Sequence, residues 1–242
     1  MPVGIITNTC AILLGGIVGA IGGQHMSAAF KENLNLVFSL CSIAMGIYAI
    51  APLKNLAAVI FAVIIGTILG LAIHLGTLIT RGAETMQRFI SRFFQPTSSL
   101  DKPVFDATMV TVIVLFCASG TGIYGTLIEG ISGDPSILIS KSILDFFCAI
   151  IFGANLGAVV SLIAAPFFII LMLIFSVAHL VVPLTTPDMI LEFKAAGGVL
   201  MLASGFRIAR IKMFPTPDMI PIMVVVMPIS WAWTTLIVPL LH

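Results

Sequence analysis

The chain alternates between apolar stretches of about 20 residues and short polar turns, the length a helix needs to cross a hydrocarbon layer about 30 Å thick. A membrane barrel would instead alternate apolar and polar residues within segments of about 10. The pattern predicts crossings at 4–22, 34–51, 56–78, 105–127, 189–208 and 217–239. The apolar run 146–182 is too long for a single crossing. It predicts a crossing that begins at Gly133, a sharp turn between Ser161 and Pro166, and a return to Val182. The expected fold class is therefore all-α: a polytopic bundle of about eight transmembrane helices.

Residues 81–95 follow a different rule. Met86, Phe89, Ile90, Phe93 and Phe94 fall on one helical face while Arg81, Arg88 and Arg92 fall elsewhere, the signature of an amphipathic helix in the headgroup region. The Ser/Thr/Pro-rich stretch 96–103 reads as a loop. The chain is expected to form one membrane domain over 1–242, with helices 1–3 in 1–80, the interfacial helix and loop in 81–103, and the remaining crossings in 104–242.

Composition sharpens the class. The chain is 242 residues long and 60% hydrophobic, with a mean hydropathy of +1.20. Charged residues make up 9%, where soluble domains carry about 25%. A net charge of +1 gives no reason to expect a nucleic-acid partner. Cys10, Cys41, Cys117 and Cys148 are scattered in apolar runs without metal-ligand spacing and read as small buried hydrophobes. Residues 1–23 lack the basic start of a cleavable signal, so the first helix is expected to remain in the mature protein. With the N-terminus outside, Lys31, Arg81, Arg88, Arg92, Lys102, Arg207, Arg210 and Lys212 collect on the cytoplasmic side. Lys54 and Lys194 stay outside, and Lys141 lies within the fifth crossing. The positive-inside rule thus favours eight crossings with both termini periplasmic.

Gly15, Gly19 and Gly23, and again Gly66 and Gly70, recur every fourth residue, which lets helix backbones approach closely and suits a homodimer. Cys10–Ala20 (CAILLGGIVGA) and Cys148–Ala158 (CAIIFGANLGA) share six of eleven residues, consistent with a parallel repeat of helices 1 and 5. A second echo, FKENLNLVF from Phe30 and FKAAGGVLM from Phe193, pairs helices 2 and 7, which run oppositely. The two echoes leave the repeat symmetry open.

Residues 119–145 (SGTGIYGTLIEGISGDPSILISKSILD) crowd hydroxyls, glycines and charges into an otherwise apolar chain. Polar groups at membrane depth are costly, and such a cluster marks a functional site. Ser119–Gly120–Thr121–Gly122 is expected to break or bend the fourth crossing, because glycine lowers helical stability and Ser/Thr bond locally to backbone. Glu129 and Asp134 are expected in an acidic turn at the outer mouth, with Asp134 capping the next helix ahead of Pro135. Lys141 and Asp145, four apart, share a helical face deeper in the bilayer and read equally as a structural ion pair or as a charged centre. Asn8, in the first crossing, is either a cap or a pore-lining amide, and His74 is expected to hydrogen-bond near the interface.

The segments LFCASGTGIYG, EGISGDPSILISKSILDFF, PLTTP and RIARIKMFP resemble the YqgA-type bacterial inner-membrane proteins, a domain-of-unknown-function family. The resemblance covers the whole chain and implies a multi-pass protein of the bacterial inner membrane, without a substrate. The residues themselves lead to a small ion-coupled or ion-conducting transporter whose partners are lipid and a monovalent or divalent ion or a proton. Its site would comprise Asp145, Lys141, Ser119, Thr121, Glu129 and Asn8. The alternative is a non-transporting accessory protein that binds lipid or a partner. No catalytic motif stands out, His179 and His242 have no acidic neighbours, and neither an enzyme, a metal site nor a cofactor is expected.

Overall fold

A computed structural model describes residues 1–22, 26–93 and 101–241. Gly23 of the glycine series, Phe94 of the amphipathic face, residues 96–100 of the expected loop, and His242 lie outside the described residues, as does the side chain of Phe93. All regular structure among the described residues is helical: α1 (Val3–Gly22), α2 (Ala28–Ile50), α3 (Leu56–Ala72), α4 (Leu75–Phe93), α5 (Lys102–Cys117), α6 (Gly120–Ser132), α7 (Ser136–Leu156), α8 (Ala164–Val181), α9 (Pro187–Ile208), α10 (Ile222–Ala232) and the short α11 (Val238–Leu241). Six spans among them are long and apolar enough to cross a membrane, with α5 and α6 counted as one. The bent pair α3–α4 makes a seventh, and Ile222–Ile237 is an apolar segment of about 24 Å, shorter than a full crossing. The all-α membrane fold read from the sequence is the one observed.

The chain forms two compact units, one of residues 1–37 with 77–179, the other of residues 38–76 with 180–242. In the first, α1 and α7 pack along their length. A Cβ built on Gly15 would lie 2.4 Å from the Phe146 carbonyl oxygen, one on Gly19 would lie 2.2 Å from that of Ile150, and one on Gly153 would lie 2.5 Å from that of Gly16. Only hydrogen fits at these positions. Because Gly4 meets Leu138 and Gly19 meets Ile150, the two helices run parallel. Ile5 and Ile12 of α1, Met109 and Phe116 of α5, Leu138 of α7 and Phe167 of α8 fill the core beside them, all buried. In the second unit Gly66 abuts the Ile222 backbone, and Gly46 of α2 abuts Gly198 of α9.

Several boundaries depart from the sequence reading. The third crossing does not run to residue 78. It stops at Ala72, and His74 turns the chain with a left-handed φ of 52°. His74 is an exposed corner residue, and the amphipathic helix begins at Leu75. Its buried face is Ala83, Gln87 and Ile90, while Phe89 is 66% exposed. Gln87 is held inside because its amide donates to Asp106 at 2.7 Å and to Ser91 at 3.0 Å. The turn expected between Ser161 and Pro166 comes earlier. Gly157 (φ 85°) ends α7, and a 3-10 segment, Ala158–Ile163, leads into α8. The last crossing is irregular where it was expected to be continuous: it starts at Ile222, contains Pro228, and passes through a π-helical turn at Trp233–Ile237.

Candidate functional site

The expected break in the fourth crossing is present. α5 ends at Cys117, Ala118 leaves the helix, and Ser119 adopts the extended conformation of an N-cap. The Ser119 hydroxyl accepts from the Gly122 N–H at 3.5 Å, the usual way in which such a residue satisfies a first-turn donor. Its oxygen is therefore engaged in starting α6. Thr121, the second residue of α6, is buried at 5% exposure. From there α6 runs antiparallel to α7, with Gly122 opposite Lys141 and Gly125 opposite Leu138.

Lys141 and Asp145 form an ion pair within α7, their residues 3% and 7% exposed. The spacing of one helical turn brings the two side chains together. The lysine stem lies across the start of α6, where a Cβ on Gly122 would sit 3.3 Å from Lys141 Cε. Its ammonium lies 5.9 Å from the centroid of the Phe167 ring on α8, within reach of a cation–π attraction. Asn8 of α1 is fully buried beside Asp145, and neither its Nδ2 nor its Oδ1 has a hydrogen-bond partner of normal geometry. The structure thus gathers Asn8, Ser119, Lys141 and Asp145 from three helices.

Glu129 does not join them, nor does it stand in an acidic turn at a solvated mouth. It belongs to α6, about 15 Å along the helix from Ser119, and is 3% exposed. Its Oε1 accepts the Gly4 N–H at 2.7 Å, so it satisfies the start of α1. The first N–H groups of a helix have no partner within it and form its positive end, so a carboxylate there is favourable. Asp134 does the local version of the same work, accepting the Ser136 N–H at 3.0 Å where α7 begins.

Two further carboxylates hold helix starts in the second unit, and sequence reasoning missed both. Asp218 accepts the Gly76 N–H at the start of α4 at 2.7 Å. Glu192 of α9, fully buried, accepts from the side chain of Asn55, the residue that precedes α3. The available signal was Glu192 itself, an acid inside an apolar crossing, which the nearby Lys194 disguised as an interface charge. One turn earlier, Asp188 pairs with Lys54 at 2.6 Å in the open, where an ion pair adds at most about 1 kcal/mol. Glu192→Ala is expected to lower stability by about 2–4 kcal/mol, because it opens a void and strands the Asn55 amide. Glu192→Gln, which keeps the acceptor, should stay within about 1 kcal/mol of the parent. Thermal unfolding of both variants in detergent checks the difference, and equal losses would refute this role of the acceptor.

Two curated proteins are similar over most of their length. An Escherichia coli K12 protein described as "Uncharacterized protein YqgA" is 42% identical over 97% of this chain and 98% of its own. A Bacillus subtilis 168 protein described as "Uncharacterized membrane protein YdfK" is 26% identical over 90% of this chain and 91% of its own. No solved structure matches. The model of a family described as "Protein of unknown function (DUF554)" matches residues 3–231, and with the fold and these relatives it shows that the chain belongs to the DUF554 family of membrane proteins.

Proposed function

We propose that the protein is a small ion-coupled or ion-conducting transporter of the bacterial inner membrane, with both termini periplasmic and the charged centre on α7 as its working part. One observation carries this reading. A buried Lys141–Asp145 pair sits in a membrane-crossing helix beside a fully buried Asn8 amide that makes no hydrogen bond of normal geometry among the described residues. A purely structural ion pair is stable only when its surroundings saturate it with hydrogen bonds, and an unsatisfied buried amide costs about 1–3 kcal/mol. An arrangement that retains both costs at one place is suited to receiving something that satisfies them. The break between α5 and α6 supports the same reading, since interrupted helices at membrane depth expose dipole ends where they line an ion path.

The test is ion flux into liposomes made with the purified chain. The parent should move ions faster than protein-free vesicles, and Asp145→Asn should lower that rate about a hundredfold, as expected for a lost member of a buried charge pair. Full flux from a folded Asp145→Asn variant would overturn the assignment of the site. A parent that carries no ion and instead retains a stable partner on pulldown would be an accessory protein.

A further inference from the structure

We infer that the ion taken at this centre is a small monovalent anion that travels together with a proton. The inference rests on the transport reading above and deepens it. It starts from the chemistry of the groups around Lys141. The stem of that side chain lies on the first turn of α6, the positive end of that helix. The Gly122 N–H is taken by Ser119, but the buried Gly120 and Thr121 N–H groups belong to the unpaired first turn, and none of the turn or tertiary hydrogen bonds of the described residues goes to them. Asn8 adds a fully buried amide from α1, beside Asp145, with no hydrogen bond of normal geometry among the described residues. Lysine ammonium, backbone N–H and amide N–H are the donors from which anion sites are built.

In the structure Asp145 holds the lysine, so an anion can enter only when the carboxylate lets go. A proton from water on Asp145 does this. The ion pair breaks, the neutral acid remains, and the single positive charge of Lys141 takes one anion X⁻. The centre gains one H⁺ and one X⁻, so the loading step is electroneutral. Release of both on the other side restores the Lys141–Asp145 pair and closes the empty site. Among the described residues, no other charge near Asp145 competes for either role. Besides Lys141, the titratable groups facing it are the thiols of Cys148 on α7 and Cys117 on α5. α1 carries no charged residue, the Glu129 carboxylate of α6 accepts from Gly4 through Oε1, and α8 presents the Phe167 ring. A metal cation entering the same place would meet the ammonium of Lys141 and an excess of donors.

The experiment uses proteoliposomes that contain a trapped pH dye, with inward gradients of chloride, bromide or nitrate against gluconate. The anion gradient should acidify the lumen, at a rate unchanged by an imposed potassium diffusion potential. Lys141→Gln should slow acidification about a hundredfold, the loss expected for one partner of a buried charge pair. Lys141→Arg keeps the charge, and with it the fold, but should change the ratio of chloride to nitrate rates. An unchanged ratio, or a rate that follows the potential, would overturn the inference. Flux driven by sodium or potassium gradients and by no anion would defeat the anion assignment while leaving the transport reading intact. No flux with any of these salts would defeat both.

Discussion

Asp145→Leu alone should cost the protein about 3–5 kcal/mol, because it leaves the Lys141 ammonium buried and uncompensated. Lys141→Met combined with Asp145→Leu should recover most of that loss, and apolar replacement of a whole buried pair is often neutral or stabilising. The basis is the burial of both side chains, 4% and 9% exposed, with each as the principal partner of the other. The measurement is the thermal midpoint of the purified protein in detergent for the parent, the two single variants and the double variant. A double variant as unstable as either single variant would show that the pair does not act as a unit. The double variant also separates stability from transport, since under the proposed function it is folded and silent.

Gly19→Val should be the most damaging apolar substitution in the first unit. Its Cβ would lie 2.2 Å from the Ile150 carbonyl oxygen and 2.8 Å from the Ile150 carbonyl carbon, both backbone atoms that cannot rotate away. α1 and α7 would have to separate along a shared face, at a cost of about 3 kcal/mol or more. Gly22→Ala, three residues on, meets nothing within 4 Å and serves as the control, with an expected change of about 0.5 kcal/mol or less. The same thermal midpoint decides it. Similar effects from the two substitutions would mean that the close approach is not what holds the helices together.

Much of this was legible because the membrane imposes simple rules on short stretches of chain. Apolar length located six of the expected crossings as full-length helices, and the i, i+4 spacing brought Lys141 to Asp145 without any tertiary information. The serine and glycines at 119–122 marked a real interruption, because their preferences act within a few residues. The echoing segments Cys10–Ala20 and Cys148–Ala158 lie on α1 and on the end of α7 with the turn after it, helices that run parallel, and Gly15 and Gly153 sit in their contact. The second echo lies on α2 and α9, and Gly46 meets Gly198 where Ser42 meets Met201, so those helices run oppositely as expected.

What stayed hidden depends on distant partners or on unusual backbone. Glu129 looks like a loop acid until Gly4, 125 residues away, is placed beside it. Glu192 and Asp218 are in the same position, with partners 137 and 142 residues away. His74 gave no warning, since a left-handed corner is usually announced by glycine. The early turn at Gly157 could have been read from the glycine, but the apolar run around it has the same composition on both sides.

The bond between Glu129 and the Gly4 N–H also sets an order of events during synthesis. Ribosomes add residues at about 5–20 per second, so α1 is made roughly 6–25 s before its acceptor exists. Throughout that interval the start of α1 has only water or headgroups to bond, which ties it to the membrane surface. The contact that fixes the start of α1 can form only after α6 is made, so it is among the late ones to be completed.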